Sequence, residues 1–105
     1  MRVTLDLIES IPASKVSRMS EIVALNKTYL QESNVAIKDT IGDELLKLCI
    51  GHLKWLSRIT PVTFDSKELI KFKKRTSPCI DILNVLIDQN SLDIVLKVVF
   101  PRWEI

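Results

Sequence analysis

Apolar residues in this chain recur three and four positions apart, the spacing that gathers side chains on one side of an α-helix. From about Lys15 to Lys38 the residues Val16, Met19, Val23, Leu30 and Ile37 follow that spacing, which predicts the longest helix, with a bend near Ser33-Asn34. Asp43 to Ile59 carries Leu45, Leu48, Cys49, Leu53, Leu56 and Ile59 on one face, the clearest amphipathic pattern, and Pro61 follows its end. A shorter helix is expected from roughly Asp65 to Lys74, presenting Leu69, Ile70 and Phe72. Ser77-Pro78 then reads as a fresh start, with Ser as N-cap and Pro at the first helical position, ahead of a stripe of Cys79, Ile80, Leu83, Leu86 and Ile87. Ser91 is expected to cap a last helix that runs through Phe100 and stops at Pro101. The Ile and Val content of this last segment also suits a strand, but no partner strand is evident elsewhere. Before Lys15 the pattern is double: Val3, Leu5 and Leu7 alternate as in a strand, whereas Asp6 to Ser10 fits a helix start. Residues 1–14 are therefore read as an N-terminal arm of unassigned structure, and residues 15–105 as an all-α bundle of about five helices.

The joint between the first two of these helices carries the main lead to function. Thr40-Ile41-Gly42-Asp43 fits a capping box, in which the Thr40 hydroxyl accepts from the backbone three residues on and the Asp43 carboxylate reaches back. Gly42 supplies backbone freedom between the helices. Such a turn exposes the apolar Ile41 beside the Asp43 carboxylate, a pair able to grip a peptide.

Composition narrows the classes. A chain of 105 residues makes one domain large enough for its own core. With 47% hydrophobic and 27% charged residues, two Gly and four Pro, it matches a helical domain better than a loop-rich or disordered one. A net charge of +2 is too small for the global field to imply nucleic acid or membrane, so any such case rests on a local patch. Cys49 and Cys79 lie among apolar residues and read as buried reduced thiols, which favours an intracellular compartment. No apolar run reaches the roughly 20 residues that span a bilayer, and there is no signal-peptide pattern at the N-terminus.

Catalytic candidates are few. His52, the only histidine, sits one turn beyond Cys49, but a nucleophilic pair needs a cleft and a third, orienting group, and the sequence supplies neither. Cys49 and His52 also fall short of the four ligands of a structural zinc, and Gly42 and Gly51 belong to no phosphate-cradling loop. The reading is a non-enzymatic chain without metal or cofactor. One charge cluster stands out: Lys67, Lys71, Lys73, Lys74 and Arg75, with Phe72 among them and Glu68 opposing. It reads first as a solvated helix face. Its functional readings are a nuclear-import signal, a phosphate-contacting patch, or a salt-sensitive landing site for an acidic peptide. Trp55 and Trp103 lie outside the cluster and suit helix docking better than base stacking.

Leu30-Gln31, Ile37-Lys38, the turn ending in Asp43, Cys49-Ile50, Leu53, Leu56 and Val62-Thr63 fall in an order that resembles the integrase-binding domain of chromatin-tethering PWWP coactivators of the lens epithelium-derived growth factor type. That domain is related to the N-terminal domain of the elongation factor TFIIS. The resemblance covers about residues 15–103 and implies a compact right-handed helical bundle, nuclear, acting as an adaptor for short motifs of disordered proteins in which acidic residues precede an aromatic pair. It also implies that two interhelical loops form the binding edge. Asp43 matches the loop aspartate that accepts from partner amides, and Ile41 the apolar residue beside it. The second loop is Ile87-Asp88-Gln89-Asn90, with Ile87 and Asn90 at the edge. It lacks the phenylalanine and flanking basic residues of the family pattern, which leaves Lys97 and the basic helix to meet an acidic partner. Nothing in residues 1–14 resembles a PWWP domain. The competing class is a nucleic-acid-binding helical domain that uses the Lys67 to Arg75 face; a small hydrolase built on Cys49 and His52 is a third.

Overall fold

Asn34 is where the longest helix begins. Its side chain accepts from the Ile37 N–H at 3.2 Å, and Glu32 Oε1 accepts from the Asn34 N–H at 3.0 Å, so Glu32, Ser33 and Asn34 close a tight polar turn. The computed structural model describes residues 3–60 and 66–101, and among these it contains five helices and no strand. They are α1 (Leu5–Ser10), α2 (Met19–Gln31), α3 (Val35–Ile59), α4 (Ser66–Leu86) and α5 (Gln89–Val99). Pro61, Val62-Thr63, Asp65 and Trp103 lie outside the described residues.

The real turn therefore lies several residues before the expected one. Thr40 caps nothing: it is inside α3, and its hydroxyl donates to the Ala36 carbonyl one turn back at 3.2 Å. Gly42 is likewise mid-helix and buried. A side chain there would come within 3.2 Å of the Tyr29 ring and 3.8 Å of Leu86, so glycine serves close helix packing and not a bend. The helix expected over residues 15–38 is correspondingly cut down at both ends to α2.

At 25 residues, or about 37 Å, α3 is the axis of a molecule measuring 45 × 26 × 24 Å. Leu45, Leu46, Cys49, Ile50, Leu53 and Leu56 are buried along it. Each such side chain stabilises the fold by roughly 1.5–3 kcal/mol relative to exposure. The pairing of Tyr29 with Gly42 and of Arg18 with His52 makes α2 antiparallel to α3. On the same reasoning α4 runs back along α3 from the Pro78 level near His52 to Leu86 beside Gly42.

The arm is part of the core. Thr4 caps α1 by accepting from the Leu7 N–H, Val3, Ile8 and Ile11 are buried, and the Lys54 ammonium of α3 donates to the carbonyls of Ile8 and Ile11 at the end of α1. From there the chain crosses α3 at Gly51, whose carbonyl accepts from the Ser14 N–H at 3.1 Å.

The two helices expected on either side of Ser77-Pro78 are one. Pro78 gives no N–H to the helix, but Phe72, Cys79, Leu83 and Leu86 bury a single stripe that runs past it, and the Thr76 hydroxyl donates back to Phe72 and Lys73. Burial outweighs the start signal. The α5 cap also differs: Asp88 accepts from the Ser91 N–H at 2.7 Å, while Ser91 is buried and its hydroxyl accepts from the Val3 N–H. Edge-on packing of Phe72 against Phe100, with centroids 5.2 Å apart, closes the bundle between α4 and the end of α5. No helix among the described residues is long and apolar enough to cross a membrane.

Candidate functional site

The expected loop edge is not assembled. Ile41 and Asp43 both lie inside α3, Ile41 half-buried and Asp43 exposed, so Asp43 does not occupy an interhelical loop as the resemblance implied. Ile87 is 5% exposed and packs in the core, which removes it from any binding edge, while Asn90 is exposed in the first turn of α5. The contact of Gly42 with Leu86 does bring the two expected segments together, but as packed helices.

Cys49 and His52 are engaged elsewhere. Cys49 is buried beside Cys79, and that neighbour together with burial pushes its pKa well above the usual thiol range, which keeps it protonated, while the same pairing lowers that of Cys79. Both cysteines are free and buried, as the sequence predicts. The Nδ1 of His52 accepts from the Arg18 N–H at 3.1 Å, and burial lowers the histidine pKa. Its proton therefore sits on Nε2. Among the described residues no three His, Cys, Asp or Glu side chains are grouped to hold a metal ion.

A groove of about 380 Å³ opens instead where α2 gives out. With 13 residues, α2 spans about 20 Å and begins at Met19, opposite His52, so among the described residues no helix covers the last two turns of α3 on that side. His52, Trp55, Leu56 and Ile59 form the floor, Met19 closes one end, and Pro78 with Lys74 and Arg75 makes the α4 wall. Ile59 is 51% exposed and Trp55 half-buried. The His52 and Trp55 rings lie 5.5 Å apart and tilted by 32°, so the floor is partly aromatic.

The basic cluster borders this groove. At 100° per residue, Lys67, Lys71, Lys74 and Arg75 fall with Pro78 on one stripe of α4, whereas Lys73 points away from it. All five are exposed. Lys71 pairs with Glu68 at 3.6 Å, an ion pair in full solvent, while no ion pair among the described residues engages Lys74 or Arg75. A larger hollow of about 600 Å³ lies under the crossing strand of chain at Ile11, Pro12 and Ser14, but Glu44 and Lys47 give it charges of both signs and no directional field.

Sequence reasoning missed Met19, Ile59 and Pro78 as site residues. Their signal is the mismatch between a 13-residue and a 25-residue helix, which is legible only once the turn is placed at Asn34. Comparison of the chain with family models, with curated proteins and with solved structures gives no match.

Proposed function

We propose that this chain is a non-enzymatic protein-interaction module that takes a short linear motif of a disordered partner into the groove between α3 and α4. One observation carries the reading: an apolar, aromatic floor of Trp55, Leu56 and Ile59 lies directly beside two exposed cations, Lys74 and Arg75. Apolar area supplies affinity, and the cations select partners whose anchor is flanked by acidic residues. Engagement of Cys49 by Cys79 and of His52 by Arg18 supports a role without catalysis, metal or cofactor. The nuclear setting, in transcription or chromatin tethering, follows from the resemblance to integrase-binding domains and places the same demand on the partner, acidic residues next to an apolar anchor.

The second reading, a nucleic-acid-binding domain, draws on the alignment of Lys67, Lys71, Lys74 and Arg75 along α4. Titration with an acidic peptide bearing a phenylalanine anchor, and in parallel with duplex DNA, separates the two. Peptide binding that perturbs Trp55 and weakens on replacing Ile59 with Ser supports the groove. Binding of duplex alone, with a log-log salt slope of about −0.9 per phosphate contact and no response to Ile59→Ser, overturns it.

A further inference from the structure

From the way α2 stops short, we infer that the partner enters the groove as an amphipathic helix with one acidic flank, occupying the place along α3 that α2 leaves open. The inference rests on the groove being the binding site and adds the partner's conformation. Two helices already pack along α3 on this side. α2 and α4 converge at Gly42, where Tyr29 and Leu86 meet the space of the missing side chain, and they part toward His52, where Met19 closes the end of the groove and Pro78 stands on its α4 wall. The opening is thus a trough bounded by one helix, floored by another, and running about two turns from His52 to Ile59.

A helix is the occupant that such a trough fits. An element continuing the line of α2 meets the α3 ridge of His52, Trp55 and Ile59 with its own residues at i, i+3, i+4 and i+7, the pattern by which α2 itself uses Ile22, Leu25 and Tyr29. An extended strand finds no sheet edge here, since the floor and wall are both helical and offer only isolated carbonyls, such as that of Lys74, whose intrahelical donor Pro78 lacks. The flank facing α4 meets Lys74 and Arg75, which have no ion-pair partner among the described residues. Glutamates on that flank complete the pairing, whereas a basic flank is repelled.

The test uses the whole chain and three synthetic peptides of about three turns. The first carries Leu at i, i+3, i+4 and i+7 with Glu on one flank; the second has the same composition with a central Pro; the third replaces Glu by Lys. Isotope-labelled protein is titrated and the Trp55 indole resonance, assigned with Trp55→Phe, is followed with those of Met19 and Ile59. The inference expects the first peptide to shift all three and to gain helical circular dichroism on binding. The proline and lysine peptides should bind at least about tenfold more weakly. In the double variant Lys74→Glu/Arg75→Glu the preference between the Glu and Lys peptides should reverse. A proline peptide that binds as tightly and shifts Trp55 equally overturns the helical inference and leaves the groove standing. Failure of every acidic peptide to move Trp55 or Ile59 overturns the groove itself and the inference with it. Shifts caused by duplex DNA at Lys67 and Lys71, with none from any peptide, do the same in favour of nucleic acid.

Discussion

The backbone N–H of Arg18 donates to the Nδ1 of His52 at 3.1 Å, so the start of α2 is held by a side chain of α3. Arg18 has no side-chain cap of its own bonding the helix, and the imidazole fixes the entry of the chain in place of one. The bond requires a neutral ring, because a doubly protonated imidazole has no acceptor.

Stability should follow the protonation of that ring. His52 has its pKa lowered below the ordinary 6.5 by burial, so the unfolded chain takes up this proton at a higher pH than the folded one. The stability it contributes is complete above about 6.5 and is lost as the pH falls through the folded value, with a slope of at most about 1.4 kcal/mol per pH unit. Urea unfolding between pH 8 and 5 should show this loss in the parent and a flatter profile in His52→Gln; equal slopes would mean other groups carry it.

The two glycines of α3 should differ in their response to alanine. At Gly51 a methyl group meets the Pro12 carbonyl at 3.2 Å and Ser14 Oγ at 3.1 Å, and the backbone of the crossing segment cannot yield without losing the Ser14 to Gly51 hydrogen bond. Gly51→Ala should destabilise by about 1–2 kcal/mol even though Ala gains up to about 1 kcal/mol of helix propensity. At Gly42 the nearest atom is the edge of the Tyr29 ring, which can move by a few tenths of an ångström, and Gly42→Ala should be close to neutral. Thermal unfolding of both variants decides it.

The position of the helix boundary is open to a direct comparison. Asn34→Ala removes the α3 cap and should cost about 0.5–2 kcal/mol. Thr40→Ala, at an exposed mid-helix site, should change stability by less than about 0.5 kcal/mol. A reversed order in denaturant midpoints would restore the turn to Thr40.

Among the basic residues, position around α4 should matter more than number. Lys74→Gln with Arg75→Gln should leave folding nearly intact and slow association with an acidic peptide at low salt several-fold, since exposed charges add little stability but steer encounter. Lys73→Gln, off the stripe, should leave the on-rate near that of the parent. Stopped-flow association at two salt concentrations distinguishes the cases.

Burial follows the expected periodicity along α3 but not along the helix expected over residues 15–38, where Val16, Val23, Leu30 and Ile37 of the expected stripe are exposed and Ile22 of α2 is buried instead. Of the expected α3 face, Leu45, Cys49, Leu53 and Leu56 are buried, Leu53 at 0% exposure, whereas Leu48 is half-buried and Ile59 exposed; Leu53→Ala should cost about 2–5 kcal/mol. Boundaries were less legible, because local signals compete with packing. Thr40 and Asp43 have the letters of a capping box, yet Asn34 supplies a cap and Gly42 packs under Tyr29 and Leu86. Ser77-Pro78 has the letters of a helix start, yet Cys79 and Phe72 belong to one buried stripe. The expected site failed with the turn on which it stood. The five basic residues of α4 are exposed, and exposed charge at helical spacing is legible without knowledge of the turns, whereas the trough beside them depends on where α2 ends.

The hydrogen bond from the Val3 N–H to Ser91 Oγ joins residues 88 apart in sequence. Closing so long a span costs less entropy once the intervening helices have packed, so the pairing of α1 with α5 is expected late in folding. Order along the chain and order of consolidation are then opposed: α1 precedes the other four helices in sequence, yet its packing is complete only when α5 is in place.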